Sequence, residues 1–151
     1  MIKSTVTVAL LLFLGSARAG CAPSDFDRLL LMQEIRELRT TTMNVVQTVS
    51  RRSSDFGMAM RIVDASFRIQ AGAQALNDLI YISTKMVNHS DRKVVDELFK
   101  ERAGSYIESV SDEIRNANSN VSDITSGGVG VQAGLLIARM QSAQKFFSKC
   151  G

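Results

Sequence analysis

The 151-residue chain has one histidine and two cysteines, so the side chains able to do chemistry can be taken singly. His89 sits in the turn-like run Asn88-His89-Ser90-Asp91. Beside Asp91 it could serve as a general base or metal ligand. The plainer reading is a polar turn residue at a helix C-terminus, where positive charge is favoured. A metal centre needs three or four ligands, and the chain offers neither a second histidine nor a spare thiolate. No metal and no cofactor is expected.

Carboxylates come in pairs at Glu34 and Glu37, Asp96 and Glu97, and Glu108 and Asp112. Acid–base catalysis needs two carboxyls in unlike environments that push their pKa values apart. These pairs stand among Lys and Arg at outer helical positions, which points to solvated charge networks. The Glu-x-x-His pattern of di-iron bundles is missing. Gly127-Gly128-Val129-Gly130 resembles a phosphate-binding loop only in composition, because no strand precedes it and no Lys-Ser/Thr follows. Gly130 and Gly134, four apart, are read as points of close helix packing. Serines abound, but no nucleophile motif places one near His89. No catalytic residue is expected, and the chain is read as a non-enzyme. Asn88-His89-Ser90 and Asn120-Val121-Ser122 match the glycosylation sequon, at a frequency that chance explains.

The cysteines, Cys21 and Cys150, lie near the two ends of the chain. What precedes Cys21 reads as a sorting address over residues 1–19: Lys3, an apolar run from Val6 to Leu14, then Ala17-Arg18-Ala19 before a cut ahead of Gly20. The apolar run is far below the roughly 20 residues that span a bilayer. Periplasmic or extracellular localisation is expected. Ala19-Gly20-Cys21 also borders on a lipoprotein signal, and Arg18 argues against it; only lipidation of Cys21 would bring in a membrane. In an exported chain two cysteines imply a disulfide, here Cys21–Cys150. It would be worth about 4–5 kcal/mol in the loop-entropy account.

Export also alters the charge. Of 18 basic and 15 acidic residues, Lys3 and Arg18 leave with the address, so the remainder is near +1. The pI of about 9.1 therefore supports no nucleic-acid footprint. Residues 20–151 fit a single domain.

The elements that must carry these residues are helices. From Phe56 to Val87, Ala59, Ile62, Ser66, Ile69, Ala73, Leu76, Ile80, Ser83 and Val87 recur at threes and fours, one apolar seam along a long rod. Gly72 within it predicts close approach by a neighbour. A first helix is expected from a Ser24/Asp27 capping box, with Leu31, Ile35, Leu38, Thr42, Val45 and Val49 inward and Arg51-Arg52 at its end. Ser53-Ser54-Asp55 would be a turn and new N-cap. A third helix would be capped by Ser90 or Asp91, carry Phe99, Ala103, Tyr106, Val110, Ile114, Ala117, Val121 and Ile124, and fray over residues 116–120. A fourth is expected from about Val129 to Lys149, with Leu135, Leu136, Ala138, Met140, Ala143, Phe146 and Phe147 apolar. Even-numbered antiparallel helices bring both termini to one end, as the disulfide requires. The expected fold is all-α, an antiparallel up-down-up-down four-helix bundle with coiled-coil-like packing; a three-helix version continuous through residues 51–57 is its rival.

With catalysis set aside, the expected function is binding of a protein partner, as inhibitors, toxin-immunity proteins and secretion-apparatus components do. Arg61 and Arg68 on the wet stripe of the second helix, with the outer face of the third, are the candidate contacts, and a homodimer stays open. The alternative is a carrier for a small apolar ligand, with Met43, Met58, Met60, Met86, Met140, Phe67, Phe99, Phe146 and Phe147 as its lining.

Overall fold

A computed structural model describes residues 24–148, and among them every regular element is a helix. The segments are α1 (Asp25–Thr48), α2 (Phe56–Lys85), α3 (His89–Ser122) and α4 (Gly127–Ser148). The break at residues 49–55 excludes the three-helix version. The sorting address and both cysteines, hence the Cys21–Cys150 bond, lie outside the described residues. No described helix is long and apolar enough to cross a membrane.

Helix α1 starts as its sequence predicts. Ser24 Oγ accepts from the Asp27 N–H at 3.1 Å and the Asp27 carboxylate accepts from the Ser24 N–H at 2.8 Å, a reciprocal capping box. Leu31, Leu38, Thr42, Val45 and Val49 are buried, with Ile35 packed at the margin. The end differs from expectation. Val49 turns extended, so Arg51 and Arg52 fall in the following turn and leave no base in the last helical turn.

Helix α2 buries its anticipated seam from Ala59 to Ser83. Val87 leaves it, because Met86 adopts an extended C-cap and Val87 is fully exposed beyond it. Asp55 does precede α2, but its side chain makes no cap bond to the helix. It is buried instead against the α3–α4 connection. There its Oδ1 accepts from the Thr125 N–H at 3.2 Å and hydroxyl at 3.0 Å, and its Oδ2 from the Ser126 N–H at 2.6 Å. One carboxylate thus ties two loops together.

Helix α3 begins earlier than predicted. Asn88 caps it by accepting from the Ser90 N–H at 3.0 Å, so Ser90 and Asp91 lie inside the first turn. The Asn-rich stretch at 116–120 stays helical: Ala117 is buried between Ile114 and Val121, and packing outweighs weak propensity. In α4 the buried seam is Val129, Ala133, Leu136, Ile137, Met140, Ala143 and Phe147. Leu135 and Ala138 are exposed, off the three–four register that the other residues share.

Helices α1 and α3 each pack against both α2 and α4, and α2 meets α4 across the middle. One core runs through all four, with Phe99, Phe147, Leu31 and Leu38 among its largest wholly buried side chains. Paired positions fix the register. Arg61 reaches Asn120, Arg68 reaches Glu113, the Tyr106 hydroxyl donates to the Ile69 carbonyl at 3.3 Å, and Ser83 bonds Asp96. On the other flank Thr42 meets Ser66, Glu37 meets Arg139 and Thr48 approaches Gly128.

Candidate functional site

A groove of about 510 Å³ opens between α2 and α3. Its origin is a difference in side-chain size. α2 contributes Gly72 and Ala75, and α3 contributes Ser105 and Ser109, so neither helix fills the space between their outer shoulders. A Cβ on Gly72 would lie 2.7 Å from the Tyr106 ring, so glycine is needed for that ring to come so close to the α2 backbone. This is the close approach that Gly72 predicted, with Tyr106 as the neighbour. Tyr106 is fixed from behind by Phe147, edge to face with centroids 4.6 Å apart. Its burial raises the phenol pKa well above the usual value, which keeps it neutral.

Leu76, Leu79 and Leu98 give the groove an apolar lining, while Arg68, Glu113 and Arg102 stand at its edges. Arg68 is anchored on two sides, with Nε 2.8 Å from Glu113 and Nη1 2.9 Å from Asp64. Past this cluster the valley becomes polar, a second depression of about 420 Å³ bounded by Arg61, Asn116, Asn120 and Asp123. Arg61 Nη1 is 3.5 Å from Asn120 Oδ1. The two arginines singled out in the sequence therefore line one valley with the outer face of α3. Arg68 joins its apolar and polar halves.

Other sequence candidates are dispersed. His89 is exposed and opens α3, at the helix end opposite to the one expected. Asp96 bonds Ser83 and Arg92, and Glu97 pairs with Lys93 at 3.9 Å. Glu108 and Asp112 are exposed, and Asp112 holds Arg115 at 3.1 Å. Glu34 and Glu37 are not on a wet face. Both are half-buried against α4, where Glu37 pairs with Arg139. Burial raises the Glu34 pKa, the Glu37 charge adds to this, and Arg139 opposes it. No group of three or more His, Cys, Asp or Glu among the described residues could hold a metal.

The methionines and phenylalanines do not gather round one cavity. Phe99, Phe147 and Met140 are core, whereas Met43 and Phe67 are about half exposed, and none lines the α2–α3 groove. The glycines of α4 do not pack closely either: Gly130 has Ile124 at 3.7 Å, and Gly134 has nothing within 4 Å.

Asp55 is the polar residue whose role sequence reading missed. Hydrogen bonding from Ser126, with further bonds from Thr125, outweighs burial and holds its carboxyl far below the ordinary carboxylate range. A buried acid following a serine pair is the only local trace of that role, because its partners lie some seventy positions further along the chain.

Neither a protein-family model, nor a curated protein, nor a solved structure matches the chain.

Proposed function

We propose that this is an exported, non-enzymatic helical protein that binds a protein partner along the α2–α3 valley. The observation that carries the reading is the valley itself: an open apolar groove continuous with a polar depression, joined by the braced Arg68. Such a mixture of an apolar centre and a charged rim suits a protein interface. The bracing supports it too, since an arginine held in place loses less freedom on binding than a loose one.

Export rests on the address at residues 1–19, and with it the placement in the periplasm or outside the cell. The four helices are read as alternating up-down-up-down. The paired positions support this: numbering falls along α3 from Asn120 to Asp96 as it rises along α2 from Arg61 to Ser83. That arrangement would return the chain ends to one end of the bundle, as the Cys21–Cys150 bond needs.

The test is capture from an extract of the producing cell's envelope at low salt, with the mature chain as bait. A stoichiometric protein is expected with the wild type, and Arg68→Ala should reduce it. Repeated failure to retain any protein would dispose of the reading. The second reading, a carrier of a small apolar ligand, draws on the groove volume, which lies within the range of small-molecule sites. Native mass spectrometry of freshly purified protein distinguishes it, since a carrier should retain its ligand.

A further inference from the structure

The groove has a shape, a length and a charge, and together they specify its occupant. On α2 it runs from Arg68 to Leu79 and on α3 from Leu98 to Glu113. At 1.5 Å per residue these spans are about 16 and 22 Å, or three to four helical turns. Ala75, Ser105 and Ser109 on its walls are exposed, so the groove is an open trough. A small ligand needs a site that encloses most of its surface, and a trough does not. A helix needs only one side covered, and small wall residues let its backbone come close.

The apolar lining extends past the trough. Ile82 continues the α2 register and Val94 the α3 register, and they are 44% and 65% exposed. Apolar positions at threes and fours on two parallel walls match the spacing on one face of an incoming helix.

Charge gives the last condition. Arg68 is already neutralised by Asp64 and Glu113. Arg102 forms no ion pair among the described residues, and its helical neighbours Leu98, Phe99, Ser105 and Tyr106 include no acid. Elsewhere on α3, Arg92, Lys93 and Arg115 each have a carboxylate three or four residues away. The wall of the trough thus carries an unmatched positive charge beside exposed leucine.

We infer that the α2–α3 trough receives an amphipathic helix of another protein, with its apolar face on Leu79 and Leu98 and a carboxylate on Arg102. This rests on the protein-binding reading above and specifies its partner.

The probe is a fluorescein-labelled helical peptide of about 18 residues, long enough to span the trough. It carries leucines at positions i, i+3, i+4 and i+7, flanked by glutamates; the control has lysines in their place. Anisotropy with the mature protein should show the acidic peptide binding about tenfold more tightly than the control. Arg102→Glu should reverse that preference. Ala75→Trp, an exposed substitution that fills the trough, should weaken binding by about tenfold or more while leaving the circular dichroism unchanged. Equal affinity for the two peptides, no binding of either, or indifference to Ala75→Trp would refute the inference. So would stoichiometric uptake of dodecanoate that Ala75→Trp abolishes, or a dimer in light scattering that Ala75→Trp dissociates. Envelope capture separates the two levels. A partner retained equally by wild type and Ala75→Trp removes the trough but keeps protein binding, and no partner with either bait removes both.

Discussion

Helix α2 meets its two neighbours in opposite ways. Towards α1 the contact is filled. Leu31, Leu38, Ile69 and Ala73 close on one another and leave no room for a water molecule. Three polar side chains there bond to one another: Thr42 Oγ1 and Ser66 Oγ lie 2.7 Å apart, and the Gln70 amide donates to both at 3.1 Å. Towards α3 the contact holds firmly at Gly72 and Tyr106, then opens into a groove of about 510 Å³. Its serines and Arg102 are exposed to solvent. What differs between the two flanks is how far side-chain volume fills the space between the helices. The filled seam buries its side chains, and the open one leaves a groove exposed to solvent.

Substitutions can test that division. The largest effect is expected in the filled seam, where Leu38→Ala removes a wholly buried side chain and should cost about 3 kcal/mol in chemical denaturation. Leu98→Ala, on the open wall and 38% exposed, should cost under about 1 kcal/mol. Equal costs would mean that the groove closes in solution.

Asp55 lies outside both seams and gives a pH-dependent reference. Asp55→Asn should lower the melting midpoint at pH 7 by roughly 5–10 °C, since charge-assisted bonds across two loops are lost. The folded carboxyl titrates below its unfolded counterpart, so on acidification the unfolded chain takes up the proton first. The stabilisation is full above about pH 4, the ordinary carboxylate value, and declines as the pH falls towards the lowered folded value. Melts from pH 7 to pH 2 should show the gap between wild type and Asp55→Asn narrowing below about pH 4.

Gly72→Ala tests the one tight point of the open flank. Overpacking against Tyr106 costs about 1–3 kcal/mol and the gain in helix propensity returns up to about 1, for a net loss of about 1–2. Adding Tyr106→Leu should shrink the Gly72→Ala increment in a double-mutant cycle. Additivity would show that the ring is not what glycine accommodates. A smaller loss, about 1 kcal/mol, is expected for Thr42→Val, which deprives Ser66 and Gln70 of a shared partner. Least affected should be the Arg68→Ala variant. An exposed ion pair contributes under about 1 kcal/mol to folding, yet partner capture should fall clearly. A stability loss as large as that of Leu38→Ala would assign Arg68 to architecture.

Several of these features can be read before any coordinates. The α2 seam from Ala59 to Ser83, the Ser24–Asp27 box and the need for glycine at position 72 all follow from spacing and residue type. Each depends on contacts within a few residues or on a periodicity repeated over many turns. Hydrophobicity alone does not separate Leu135 and Ala138 from the buried residues of α4, whereas the three–four register from Val129 to Phe147 excludes them. Val87 was lost for a similar reason, since a short turn extends the chain one residue before the period would place it.

What the chain determines by itself is therefore its set of helices and the faces they bury, because helical periodicity and capping are local. The tertiary structure alone decided that Asp55 joins two loops, that Glu34 and Glu37 face Arg139, and that Arg61 and Arg68 line one valley with α3. It also decided that one flank of α2 is filled and the other open. Those outcomes depend on which side chains meet across helices, and that pairing is set by packing volume between residues far apart in the chain.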